Sequence, residues 1–374
     1  MLKGIGIGLA SAALALGLWA AGVLDGFEAK TWDWRAARLA RPGAHTGSIP
    51  IIFIDQQSLD WADRELSLRW PWPREVYRPI LDYCRRQGAR AVAFDLLFTE
   101  PSSYQAEDDA ALGQAIAQTP GFVGTVFLGR DSGTARRWPD SVPPSRLRIP
   151  ALDAWLSVGG HADLAYPAAA FPIPDVATNA AWLGNVAAQP DPVDAVYRRL
   201  PLVSVFDGQA VPSLGLAAWL AAAGEAAAAV RLEPGALAAG PRRVPLDRRG
   251  RAILRFRGPS GTYPRFSAAA VIQSELRLQA GEPPTITNPA AFRGGIVFLG
   301  CNAPGLLDHR PAPVGAAYPG VELHATLLDN LLAGDFLRDA PRPATAVLAA
   351  LLALLAGLLI LRCRNVFQTA LVFA

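Results

Sequence analysis

Two aspartates stand where an open α/β fold would place its ligand. Asp55 ends the apolar run IPIIFID (49–55), and Asp95 lies near the end of RAVAFDLLF (90–98). In a parallel sheet the carboxyl ends of the strands form one edge, and ligands bind in the crevice outside it. Ser58 and Arg74 follow the first run, while Asn302 and Asp308 follow a later one, GGIVFLG (294–300). Glu322 and His324 open the last helical stretch before the final apolar run. If the three runs are neighbouring strands, these side chains converge on one crevice suited to a small ligand. Each residue also has a structural alternative. Asp55 and Asp95 can cap a turn or accept backbone amides, and Arg74 can neutralise one of those carboxylates. His324 can be a satisfied core histidine. The tryptophans of RWPWP (69–73) read as a packing wedge.

Catalysis needs more than this set supplies. Asp55, Asp95 and His324 could be imagined as a base with paired carboxylates, but no nucleophile elbow, phosphate loop or GxGxxG sits at a strand-to-helix turn. No CxxC pair, HExxH or Cys/His cluster offers a metal site, so neither a metal nor another cofactor is expected. Three cysteines are too few for a disulfide scaffold; Cys84 and Cys301 read as free buried thiols, and Cys363 follows the last long apolar run. A net charge of +3 is too small to argue for nucleic acid.

The elements that position the candidate residues follow from periodicity. Strands are expected at 49–55, 90–98 and 121–129, with helices over REVYRPILDYCRRQGA and EDDAALGQAIAQT between them. Strand, helix, strand, helix, strand is the pattern of a parallel sheet covered on both faces. WLGNVA, RRLPLVSVF, RAILRFRG and GGIVFLG add further strands, with VPSLGLAAWLAAA a helix among them. Residues 131–150, rich in Pro, Ser and Arg, read as an exposed excursion. The fold class is therefore α/β, a mostly parallel sheet flanked by helices in one large domain.

Both ends of the chain explain why 51% of its residues are hydrophobic and only 18% charged. The uncharged run from Gly4 to Leu24 would span about 31 Å as a helix, and the run 344–361 about 27 Å. We read 1–24 as a retained membrane anchor, a cleaved signal peptide being the alternative. Residues 25–343 form the large domain, 344–361 a second span, and 362–374 a cytoplasmic turn with the start of a further span. Lys3, Arg362 and Arg364 flank the spans on what the positive-inside rule makes the inner side, which leaves the large domain outside.

In order along the chain, IIFIDQQSL, RWPWPREVY, RAVAFDLLFTEP, WLGNVAAQPDPVDAVYRRLPL, VPSLGLAAWL and IVFLGCNAPGLLDHRPAPVGAAYPGVELHATLLDNLLAGDFL resemble the second type of CHASE domain, the cyclase/histidine-kinase-associated sensory extracellular domain. The resemblance covers about 30–340. It implies an extracytoplasmic sensor in the inner membrane, answering an unknown small-molecule or envelope signal, with a cyclase or kinase output and a homodimeric state. One departure stands out. Where the family pattern has Asp-Gly-Val-x-Arg, this chain has Asp194-Ala195-Val196-Tyr197-Arg198, and since Ala disfavours φ > 0 a different turn is expected.

Overall fold

The computed structural model describes residues 2–224, 230–306 and 308–360. It divides into two compact units, a small one built on the terminal apolar helices and a large one spanning Arg35–Asp191 and Ala195–Leu337.

In the large unit, β1 (Ile51–Ile54), β2 (Ala91–Phe94), β3 (Phe122–Gly129), β4 (Trp182–Asn185), β5 (Arg265–Ser267) and β6 (Ile296–Cys301) build the main sheet. Its order is β5-β1-β6-β2-β3-β4, and every neighbouring pair is parallel. Ala168–Ala170 adds an antiparallel strand along the far end of β3. The central strands are buried along their length except at Cys301, the last residue of β6, which is why their sequences are unbroken apolar runs and not alternating ones.

Alternate residues of each strand feed two cores. On one face Ile52, Ile54, Val92, Phe94, Val297 and Leu299 pack on α3 (Gln56–Leu66), α4 (Arg78–Arg86), α5 (Ala106–Ala117) and α7 (Ala268–Gln279). Trp72 is buried here against Tyr77, as the wedge reading expected. On the other face Ile51, Phe53, Ala91, Ala93 and Phe298 meet α6 (Leu214–Ala223) and α8 (Gly320–Ala333).

A second layer of short antiparallel strands covers this second face, so α8 is enclosed on all sides. Leu200, Leu237, Val244 and Ala252 from that layer share the core of Leu323, Leu327 and Leu331. Every residue of α8 from Val321 to Leu331 is buried. Close approaches fix its position: a Cβ on Gly300 of β6 would fall 2.7 Å from Val321 Cβ, and one on Gly215 of α6 would fall 2.6 Å from the His324 carbonyl oxygen.

Three expectations need correction. RRLPLVSVF is not one strand; Arg199–Pro201 pairs with Arg251–Ile253, while Val203–Phe206 forms a hairpin with Gln209–Pro212. RAILRFRG is extended as a strand only over Arg251–Ile253, because from Arg255 onward its backbone is engaged by the Asn330 side chain. Ala195 does adopt the left-handed region, at φ 61°, as glycine would. Its N–H donates to the Asp191 carbonyl at 2.8 Å and Asp191 N–H to the Val196 carbonyl at 2.9 Å, so the turn is held despite the strain. Left-handed backbone costs a residue with a Cβ about 1–2 kcal/mol. Ala195→Gly is therefore expected to stabilise the fold by roughly 0.5–1 kcal/mol, after the added chain entropy is subtracted. An unchanged denaturation midpoint would refute this.

In the small unit, α1 (Leu2–Ala20) and α9 (Arg342–Ile360) are antiparallel neighbours, each long and apolar enough to cross a membrane. A Cβ on Gly357 would lie 2.6 Å from both the Gly4 carbonyl oxygen and the Gly8 nitrogen. At the opposite end the Arg342 guanidinium sits 5.6 Å from the centre of the Trp19 ring. Small residues at such a crossing let two backbones approach, the usual basis of helix pairing in lipid. Between them in sequence, α2 (Asp25–Leu39) contributes no buried residue. Arg362, Cys363, Arg364 and the expected further span lie outside the described residues.

Candidate functional site

The strand order brings together the carboxyl ends that the sequence reading needed as neighbours. β6 lies between β1 and β2; the Asp95 N–H donates to the Leu299 carbonyl and the Asn302 N–H to the Ile54 carbonyl. Asp95, Asn302 and Asp308 therefore share one edge. Asn302 Oδ1 accepts from His309 Nε2 at 2.9 Å, and Arg310 Nη2 stands 3.5 Å from Asp308 Oδ1.

Asp308 also meets the start of α8. Its backbone carbonyl accepts the Gly320 N–H, and a Cβ on Gly320 would fall 2.6 Å from its Oδ1. Only glycine admits the carboxylate this close. A negative charge at a helix N-terminus is favourable in itself.

The electrostatics of this edge are those of two acids in a confined space. Asp95 is half-buried. Burial first, and then the neighbouring Asp308, push it up to about 8, against a partial offset from Arg310. Burial likewise raises Asp308, with Arg310 opposing. Near neutral pH the pair thus holds on to a proton that two free carboxylates would have lost. Burial and the same two acids push the Cys301 thiol up to about 12, so it is not a ready nucleophile. Both Cys84 and Cys301 are free, but only Cys84 is fully buried; Cys301, at the strand end, is partly exposed.

The remaining sequence candidates are placed elsewhere. Asp55 turns inward and caps α3, accepting the Ser58 N–H at 2.8 Å, the Ser58 hydroxyl at 2.6 Å and the Ser267 hydroxyl at 3.1 Å. Ser58 is wholly buried and its hydroxyl also accepts the Ala269 N–H, so this group ties the start of α3 to the start of α7. Asp55→Ala is expected to cost about 1–2 kcal/mol, at the upper end for a lost cap. A denaturation midpoint within error of the parent would show that the cap is dispensable.

Arg74 does not neutralise Asp55 or Asp95. Its Nε pairs with Asp109 at 3.3 Å, its Nη2 donates to the Glu100 carbonyl, and its guanidinium lies over the Phe98 ring. The adjacent Asp108 accepts the backbone N–H groups of Arg74 and Glu75 at 2.6 and 2.7 Å. These acids come from the first turn of α5, and only the folded crossover brings them to Arg74.

Glu322 and His324 are inside the fold, on the enclosed α8. Glu322 Oε1 accepts from the Ser260 hydroxyl at 2.8 Å, and its Oε2 has no hydrogen bond of good geometry although the Tyr318 hydroxyl is near. Burial raises this carboxyl, with Ser260 opposing. His324 is pushed down to about 4 by burial, against a bond to the Val186 backbone, and is a neutral core histidine with an unpartnered Nδ1. The eight candidates therefore separate: Asp95, Asn302 and Asp308 share the edge, and the other five serve packing and capping. The sequence reading missed His309 and Arg310, which complete the edge. Their proximity to Asp308 in LLDHRP was the available signal.

The edge is a partly exposed group of polar side chains, and no metal-ligating cluster occurs among the described residues. An α/β unit of this kind, bounded in sequence by two apolar helices, fits a sensory module. The chain belongs to the CHASE2 domain family, whose model matches residues 10–361. CHASE2 is a sensory, non-catalytic extracellular domain of receptors associated with cyclases and kinases. The comparisons of this chain with the curated proteins and with the solved structures found no match.

Proposed function

We propose that this chain is the extracytoplasmic input module of an inner-membrane receptor, relaying a stimulus through its membrane helices to a cytoplasmic output such as a nucleotide cyclase or kinase. The observation that carries the proposal is the antiparallel pairing of α1 and α9. Because Trp19 meets Arg342, the end of α1 and the start of α9 share one membrane face, and Gly4, Gly8 and Gly357 share the other. A chain that leaves and re-enters at one face places everything between on that side. With Lys3, Arg362 and Arg364 counted on the inner side against Arg338 and Arg342, that side is the outer one. The stimulus is a small molecule or envelope signal received at the edge formed by Asp95, Asn302, Asp308, His309 and Arg310. Outputs of the cyclase and kinase kind act in pairs, so the working state is a homodimer.

Topology reporters test this directly. Alkaline phosphatase inserted at the Asp207–Gly208 turn of the full chain should be active, and a fusion following Ile360 should be inactive. The reverse pattern would overturn the orientation and with it the sensory reading. The stimulus can act only through different affinities for two arrangements of the domain.

A further inference from the structure

α8 is buried all round, so its polar side chains need partners inside the protein. Those near its C-terminal end find them in the segment that follows α2 and in Arg255 and Arg257, and Arg257 in turn holds the segment after α8. Asp329 is wholly buried. Its Oδ2 accepts the Thr46 hydroxyl at 2.5 Å, and that hydroxyl oxygen accepts the Gly43 N–H at 2.8 Å. Gly43–Thr46 is the segment that enters the large unit shortly after α2. Asp329 Oδ1 is ion-paired with Arg257 Nη2 at 2.8 Å, at an angle outside hydrogen-bond geometry.

Arg257 reaches the other way too. Its Nη1 and Nη2 donate to the two oxygens of Asp335 at 2.8 and 2.9 Å, and Arg255 adds a contact to the same carboxylate at 3.3 Å. Asp335 lies on the segment that leaves the unit. One turn earlier, the Asn330 side chain brackets the Arg255 backbone, accepting its N–H at 2.8 Å and donating to its carbonyl at 3.0 Å. Just beyond, the Leu337 N–H donates to the Ile253 carbonyl at 3.3 Å. A single guanidinium with 4% of its side chain exposed thus stands between the entering and the leaving segments.

Gly43 shows how tight the junction is. A Cβ there would lie 3.2 Å from Arg257 Cζ and 3.3 Å from Asp329 Oδ1. Burial opposes the charge on Arg257, but Asp335 and Asp329 outweigh it and keep the guanidinium ionised. A buried ion cluster is a poor source of net stability compared with apolar packing. Its value lies in specifying one geometry.

We infer that Arg257 and Asp329 form a clamp that fixes the entering segment Gly43–Thr46 to the leaving segment Asp335–Leu337, so that both membrane connections of the sensor move as one. The inference rests on the sensory reading above, but its test does not use the topology reporters. α8 carries Asp329 near one end and begins at Gly320, against Asp308, at the other. A change at the edge site therefore has one rigid buried helix between it and the clamp.

The test places spin labels on cysteines introduced at Ala44 and Leu337 in the full chain, in lipid nanodiscs, with Cys84, Cys301 and Cys363 replaced by alanine. The parent should give one narrow distance distribution. Thr46→Val cuts the entering arm and Asp335→Asn weakens the leaving arm, each leaving the Arg257–Asp329 pair in place. Each should broaden the distribution at least about twofold, while hydrogen exchange of the β1 and β6 amides stays at the parent level. Arg243→Ala, which removes an exposed ion pair with Glu233, should leave the distribution narrow. Distributions for Thr46→Val and Asp335→Asn that match the parent would overturn the clamp, as would equal broadening by Arg243→Ala. Either result leaves the membrane orientation as the reporters find it.

Discussion

Replacing Asp329 with alanine is expected to destabilise the large unit by about 3–5 kcal/mol, the cost of breaking a buried ion pair from one side. The loss has three parts. The Arg257 guanidinium keeps Asp335 but loses its inner counter-charge, and its Nε already lacks a hydrogen-bond partner. The buried Thr46 hydroxyl loses its acceptor. Truncation also opens a void beside a glycine, Gly43, that has no side chain to fill it. For a unit of this size the shift in thermal midpoint should be on the order of 10 °C, followed by near-ultraviolet circular dichroism in detergent. Asp335→Asn should cost clearly less, because Asp335 is a quarter exposed and solvent can replace part of what is lost. A shift below about 1 kcal/mol for Asp329→Ala would mean that the cluster relaxes without cost, and the description of Asp329 as a buried anchor would fail.

Asp95→Asn should change the pH dependence of stability more than any other single replacement at the edge. The Asp95 carboxyl is near 4 when unfolded and is pushed up to about 8 in the fold. Between those values the folded state holds more protons than the unfolded state. Stability contributed at this position is therefore complete at low pH and falls as pH rises from about 4 to about 8, where the loss levels off. An amide keeps the neutral form at every pH. The variant should match the parent near pH 4 and exceed it by about 2 kcal/mol or more at pH 8.5, discounted from the full shift because Asp308 titrates with it. Parallel stability curves for the two proteins from pH 4 to 9 would show that Asp95 is ionised and solvated in the fold.

The same property bears on function. A proton, or a cationic ligand that replaces it, alters the charge on a pair of acids, one of which, Asp308, meets the first residue of α8. The helix then ends at the clamp. A sensor needs two arrangements separated by a few kcal/mol, and a half-buried titratable pair is one physical way to bias them.

Much of this protein was legible in its sequence. A strand buried on both faces must be an unbroken apolar run, so IPIIFID, RAVAFDLLF and GGIVFLG identified the centre of the sheet, and helical spacing between them required a parallel one. The terminal runs identified themselves by length and absence of charge. The capping group was half legible: Asp55 followed three residues later by Ser58 at a strand-to-helix turn is a local pattern, while the contribution of Ser267 is not.

What the sequence by itself determined is therefore what depends on local spacing: strands, helices, apolar spans and the list of polar residues beyond the strand ends. Partnership was decided only by the tertiary structure. Arg74 meets Asp109 and Arg257 meets Asp329 and Asp335 because crossovers return distant segments to the same place, and no periodicity encodes which acid a guanidinium will find. Glu322 and His324 looked like site residues because they open a helix after the last strand. They are interior because a second layer of short strands encloses α8, and those strands were the elements least visible in the sequence.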